Sequence, residues 1–327
     1  METKVTPDIY YQTLNQYQAA QLLLEAIKLD IFSYLDHPAM AEEIARKTGF
    51  YERNLELLLL ALSSCGYIEK QDNYYCNTKE SGSYLSKTSP YYLGKTILFR
   101  ETMTSLYNIA DKVMHGPEHV SNPSYDFSAL AEAAVPEMYA TGRVKSFLEE
   151  MKAIFTDELS RLKMLDLGGG SGVLAMEFSR HYPNSRACVF EHPSVASTTN
   201  KIMAQNNMEN RVMVLAGDFN TDDIGGSYDL IVASGILDFA ADDLNGFMGK
   251  IAGALSDHGY FLLIGGYREG GECPKENMLS WLSGYMSGIK LPPTKDQVEI
   301  ALDKSRLQAV REIQSGRFQG CLYKKAV

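Results

Sequence analysis

Cysteine is scarce and scattered: Cys65, Cys76, Cys188, Cys273 and Cys321, with no CxxC pair. An odd number without paired spacing argues against a disulfide framework and against structural zinc. Reduced thiols in a cytoplasmic protein are the expectation, and no metal is expected. Positive charge is also short, with 31 Lys and Arg against 41 Asp and Glu and a net charge of -10. A surface that neutralises phosphates needs the opposite excess, so neither nucleic acid nor an anionic membrane is an expected partner. No apolar run approaches the ~18–20 residues of a membrane span. The opening METKVTPDIYYQTLNQ lacks the apolar core and cleavage pattern of a secretory signal.

What is present is an ordinary globular composition, 45% apolar and 22% charged over 327 residues, sized for about two domains. The character of the chain changes near residue 160. Residues 10–35 read as a helix with Leu14, Tyr17, Leu24 and Ile27 at helical spacing. The added Leu22 and Leu23 make it apolar on more than one face, which points to a subunit interface. A short helix over 38–50 closes at Gly49 and a second over 51–66 closes at Gly66. A hairpin then turns at Asp72-Asn73. Helix, turn, helix, hairpin is a winged-helix order, and DNA binding is its obvious reading. Residues 38–90 hold six basic and seven acidic residues, however, and the second helix is leucine-rich with Arg53 its one basic residue. A recognition helix should carry Arg, Lys, Asn or Gln toward base edges, so a winged-helix regulator is disfavoured.

From residue 160 the pattern alternates. Strands are expected at 163–167, 186–191, 211–216, 228–234 and 259–265, and helices at 173–181, 194–206, 242–255 and near 294–304, before a closing strand pair turning near Ser315. Near-continuous apolar strands between helices predict an α/β, doubly wound, Rossmann-like sheet covered on both faces. The expected organisation is a winged-helix-like helical dimerisation domain over 1–100, a helical linker and substrate-pocket region over 101–160, and a cofactor domain over 161–327.

Three signals fall in register on that sheet. Leu165-Asp166-Leu167-Gly168-Gly169-Gly170-Ser171-Gly172 leaves one strand and opens a helix. Glycines there let the backbone approach a ligand, and helix N-terminal amides face it. A dinucleotide site would use a similar loop for a pyrophosphate. Acidic Asp166 repels a pyrophosphate and suits a ligand carrying a sulfonium and an ammonium. Glu191 ends the next strand, nineteen residues past Gly172, where a carboxylate can accept from both ribose hydroxyls. Gly217-Asp218-Phe219 follows the third strand; Asp218 can take an adenine amino group and Phe219 the ring face.

These motifs resemble the small-molecule O-methyltransferase family typified by plant caffeate and hydroxyindole methyltransferases and by many bacterial natural-product enzymes. AAQLLLEAIKLDIFSYL, AEEIARKTGF and LLLLALSSCGYIEK are similar to its dimerisation domain. MLDLGGGSG, VFEHPSV, LAGDF and YDLIVASGILDF are similar to its cofactor motifs. The resemblance implies S-adenosyl-L-methionine, with S-adenosyl-L-homocysteine as product, contacting Gly168, Gly170, Glu191, Asp218 and Phe219. It also implies a homodimer and a small-molecule acceptor. Where the family carries a lysine or asparagine the chain has Ser234, and where it carries its histidine base the chain has Asp238. A free Asp is about 2.6 pH units weaker as a base than His. Three readings follow: Asp238 is the base, its carboxyl raised by burial; the acceptor is an acidic phenol, a thiolate or a stabilised carbanion needing no base, so that transfer to oxygen, carbon or sulfur rests on positioning; or the protein binds the cofactor without transferring methyl.

The histidines do not replace the missing base. His181, His192 and His258 sit at element ends and are expected in solvent, while His115 and His119 belong to a loop. Glu269, Glu272 and Glu276 follow the fifth strand in a Gly-rich, polar stretch. Phe99, Met103, Tyr107, Tyr139, Trp281 and Tyr285 are candidates for a flat, apolar acceptor pocket.

Overall fold

The computed structural model describes residues 6–106, 109–116, 126–269, 271–315 and 318–326. The chain divides into two compact units, residues 1–101 and 102–327.

The first unit opens on helix α1 (Asp8–Lys28). The single helix expected over 10–35 is broken near its end. Asp30 takes a left-handed φ of 58°, and a separate one-turn 3₁₀ helix follows at Ile31–Tyr34. Aspartate tolerates that conformation when its side chain bonds locally, and here it accepts from Ser33 Oγ at 2.6 Å. Helix α2 (Ala41–Thr48) ends at left-handed Gly49, and α3 (Glu52–Ser64) buries Leu55, Leu59 and Leu62 at helical spacing. Strands β1 (Ile68–Gln71) and β2 (Tyr74–Asn77) pair antiparallel with Gln71 opposite Tyr74, so Asp72-Asn73 makes the turn. Helices α4 (Lys79–Tyr84) and α5 (Gly94–Met103) follow. Ile27, Phe32, Leu35, Leu59 and Leu62 fill the core. The first half of α1 stays outside it, with Ile9, Tyr10, Tyr11, Leu14 and Tyr17 all exposed.

The second unit begins with helices α6 (Ile109–His115), α7 (Phe127–Ala140) and α8 (Arg143–Ile154). It then alternates: β3 (Lys163–Leu167), α9 (Val173–His181), β4 (Arg186–Glu191), α10 (Pro193–Gln205), β5 (Val212–Ala216), β6 (Tyr228–Ser234), α11 (Leu244–Ala254), β7 (Leu255–Ile264). Helices α12 (Lys275–Tyr285) and α13 (Lys295–Lys304) lead to β8 (Leu307–Ser315) and β9 (Phe318–Lys325). The sheet order is β5-β4-β3-β6-β7-β9-β8, and β9 alone runs antiparallel to both neighbours. Leu165 and Leu167 face a layer formed by α11 and α13, while Met164 faces the α8, α9 and α10 layer. Asp166, one pleat from Met164, enters that second apolar layer.

Among the described residues no helix is long and apolar enough to cross a membrane.

Candidate functional site

The chain runs outward from β3 to β4 and β5, then returns to lay β6 on the other side of β3. Such a reversal opens a crevice beyond the carboxyl ends of the strands, where open α/β sheets bind ligands. The loops after β3, β4, β5 and β6 all end there.

The loop after β3 allows almost no side chain. Gly168 has φ 64°, and a Cβ added to it would meet Ile236 Cγ2, in the loop after β6, at 2.7 Å. Its N–H donates to Phe190 O at 2.8 Å, which holds the turn against β4. Gly170, with φ 54°, donates its N–H to Glu191 Oε2 at 2.7 Å, and its carbonyl accepts from Thr199 Oγ1 at 2.6 Å. Glu191 Oε1 accepts the His192 N–H at 2.7 Å. Burial pushes the Glu191 carboxyl up, and these two backbone bonds oppose the shift.

Asp166 lies beneath this turn. It is 1% exposed, and neither of its carboxylate oxygens has a hydrogen-bond partner. Burial, reinforced by the charge of Glu191, pushes it up to about 7; the Ala175 N–H, near but outside hydrogen-bonding geometry, opposes the shift. An orphaned carboxylate inside an apolar layer costs stability unless a cation or donor arrives.

After β5, Asp218 accepts the Asn220 N–H at 2.9 Å, and Lys250 Nζ fixes the loop through Phe219 O at 2.7 Å and Asp222 O at 2.8 Å. The Phe219 ring leans on Phe247, centroids 5.5 Å apart. After β6, Ser234 Oγ accepts from Arg143 at 3.2 Å. A 3₁₀ turn at Leu237–Ala240 follows, burying Leu237 and Ala240. Asp238 on that turn is half-buried, and burial raises its carboxyl.

Of the expected pocket residues, Trp281 stacks on Phe127 at 6.3 Å, and Phe127 meets Phe239 edge-on at 5.6 Å. Sequence reading did not single out Phe127 and Phe239 for the pocket, because nothing local marks residues so far apart as neighbours. Tyr139 is not part of this trio: its hydroxyl donates to Glu177 Oε1 at 2.7 Å on α9. Met103 and Tyr285 are half-buried in the second unit and Phe99 in the first. Tyr107 and His119 lie outside the described residues. His181 is not in solvent as expected; its side chain is 16% exposed, 3.4 Å from Glu158 and edge-on to Tyr182. A further residue escaped notice. Lys112 on α6 is buried, and its ammonium donates to Ser283 O, Ser283 Oγ and Ser287 Oγ at 2.7–2.8 Å, tying α6 to the end of α12. A cavity of about 920 Å³ lies beyond β7 rather than at the glycine turn, lined by Tyr267, Glu269, Glu272, Cys273, Lys295 and Glu312 among others.

The chain belongs to the O-methyltransferase family. Residues 109–283 match the family's O-methyltransferase domain, and residues 11–87 match its dimerisation domain. Enzymes of this family use S-adenosylmethionine. The chain is 31% identical over 219 residues to an uncharacterized protein of Methanocaldococcus jannaschii, covering 65% of this chain and 58% of that protein. It is 28% identical over 222 residues to 3-hydroxy-5-methyl-1-naphthoate 3-O-methyltransferase of Streptomyces sahachiroi, covering 66% of this chain and 64% of that enzyme. The aligned chain thus spans only 58% and 64% of the lengths of these two relatives. The crystal structure of human N-acetylserotonin methyltransferase in complex with SAM superposes with a TM-score of 0.73 over 100% of both chains. At 22% identity, that likeness carries the fold alone.

Proposed function

We propose that the chain is an S-adenosylmethionine-dependent methyltransferase acting on a small aromatic metabolite, with oxygen the expected acceptor atom, and that it works as a homodimer. One observation carries the reading: the crevice pairs a side-chain-free glycine turn with an orphaned buried carboxylate.

The residues fit the cofactor. Asp166 lacks the cation that would justify its burial, and an amino-acid ammonium would supply one. Each Glu191 oxygen accepts one backbone N–H. A carboxylate has about four lone-pair sites, so capacity remains for ribose hydroxyls. Gly168 and Gly170 keep the turn open, Asp218 and Phe219 are assigned to adenine, and Ser234 closes the site on the β6 side. S-adenosylmethionine, when bound, supplies a methyl group on a positively charged sulfur. The remaining work falls to the chain. Asp238 receives the acceptor's proton, for which a carboxyl raised by burial is better suited than a free one. Phe127, Phe239 and Trp281 hold a flat ring and keep water away. Met103, Tyr285, Phe99, Tyr107 and Tyr139 remain assigned to the acceptor side, with segment 101–160 shaping it. The exposed apolar strip of α1 is the surface a second copy would cover.

Calorimetric titration with S-adenosylmethionine and S-adenosylhomocysteine tests the reading. Micromolar binding of both, with the product at least as tight, supports it. Binding of neither overturns it.

A further inference from the structure

Helix α6 reverses the usual polarity. Of its seven residues Lys112 is the one buried, while Val113 and Met114 are 68% and 66% exposed. Burying an ammonium costs free energy that burying an apolar side chain does not. Burial lowers the pKa of this amine, and no carboxylate among the described residues offsets the shift. What compensates is the end of α12. The Lys112 ammonium donates to Ser283 O at 2.8 Å, to Ser283 Oγ at 2.7 Å and to Ser287 Oγ at 2.7 Å. An ammonium has three donors, so all of them are spent there. The Ser287 hydroxyl donates in turn to Ser283 O at 2.7 Å. The last carbonyls of a helix lack intrahelical partners, and its carboxyl end attracts cations. The lysine therefore closes α12 at the end where the helix dipole is negative.

Apolar burial does little to fix α12, since Gly284 is its one buried residue. Trp281 stands two residues before Ser283 and carries the ring that stacks on Phe127 at 6.3 Å. The two residues share one turn of helix. A slide or rotation of that turn moves the indole with it.

Resting on the reading that places Trp281 on the acceptor side, we propose that Lys112 is a positioning residue of that site: it clamps the C-terminal turn of α12 and thereby holds Trp281 against Phe127.

The test compares the parent chain with Lys112→Met, which keeps a long unbranched side chain and removes the donors. Both are measured with and without S-adenosylhomocysteine. Hydrogen exchange of the α12 peptide, read by mass spectrometry, should speed up at least about tenfold, the scale of a lost charged hydrogen bond in a local opening. Peptides covering β3, β4 and β6 should keep the parent's rates. The near-ultraviolet dichroism of the Trp281 indole should lose most of its amplitude, and the affinity for S-adenosylhomocysteine should stay at the parent's value. A tie that only adds stability would lower the melting temperature and leave the indole band and α12 exchange as they were. That result overturns the proposal, as does exchange rising equally across the whole second unit. Ser287→Ala removes one acceptor and leaves the lysine in place, so α12 should exchange about threefold faster. Should Lys112→Met not fold, parent rates in Ser287→Ala overturn the proposal by themselves. The cofactor titration separates the two ideas. Failure of S-adenosylhomocysteine to bind the parent chain strikes the methyltransferase reading, whereas binding with α12 unmoved strikes this inference alone.

Discussion

The loops leaving β3 and β6 stand side by side, close enough that one carbon added to Gly168 would strike Ile236, yet they are built by opposite rules. The β3 loop is made of backbone. Glycine amides and carbonyls bind Phe190, Glu191 and Thr199, and the close packing against Ile236 depends on the absence of a side chain at Gly168. The β6 loop is made of side chains, Asp238 and Phe239, completed by Phe127 and Trp281 from helices far away in sequence. A backbone site is written in contiguous residues and tolerates little change. A side-chain site is assembled at a distance, and its chemistry can change one residue at a time.

Substitutions on each side test that division. Asp238→Ala should lower turnover by about 10²–10⁴-fold, the usual contribution of a general base, while the calorimetric affinity for S-adenosylhomocysteine stays within about twofold; unchanged turnover removes Asp238 from the mechanism. Gly168→Ala forces a side chain into a left-handed conformation and against Ile236, so cofactor affinity should fall by about 2–4 kcal/mol. Normal affinity in that variant would mean the turn is not built by close approach. Glu191→Ala should cost about 1–3 kcal/mol of cofactor binding, through the lost charged acceptor and the freed Gly170 amide.

A further test concerns pH. Asp166 is raised from 3.8 to about 7 in the folded chain. The folded state therefore holds this proton more tightly than the unfolded one. Its contribution to stability is fully present below 3.8 and is lost as pH rises through about 7. The cofactor-free protein should lose melting temperature between about pH 4 and pH 7, with no further loss from this group above that, and Asp166→Asn should flatten that loss. A variant with the same pH slope as the parent would show that Asp166 is not the group responsible.

The same division explains what was legible in the sequence. β3, β4 and β6 occupy 163–167, 186–191 and 228–234, as the apolar runs indicated, because strands covered on both faces are continuously apolar between turns. β7 begins at Leu255 rather than 259. Its first residues, Ser256-Asp257-His258, read as a loop, and the pairing with β6 shifts register between Tyr228 and Leu230. The glycine turn, Glu191 and Asp218 could be placed at the carboxyl ends of β3, β4 and β5 because each closes or follows an apolar run. The Phe127–Phe239–Trp281 trio and the Lys112 tie could not, since tertiary packing alone makes them neighbours. The bond from the Tyr139 hydroxyl to Glu177 was equally illegible, since no spacing rule indicates that pairing.

Trp281 is the chain's one tryptophan, and it stacks on Phe127 in the aromatic trio. The intrinsic indole emission of this protein therefore originates at that trio. Nature has in effect placed a single optical label there, so spectral shifts on adding a compound would report events around Phe127 and Phe239 without any introduced dye.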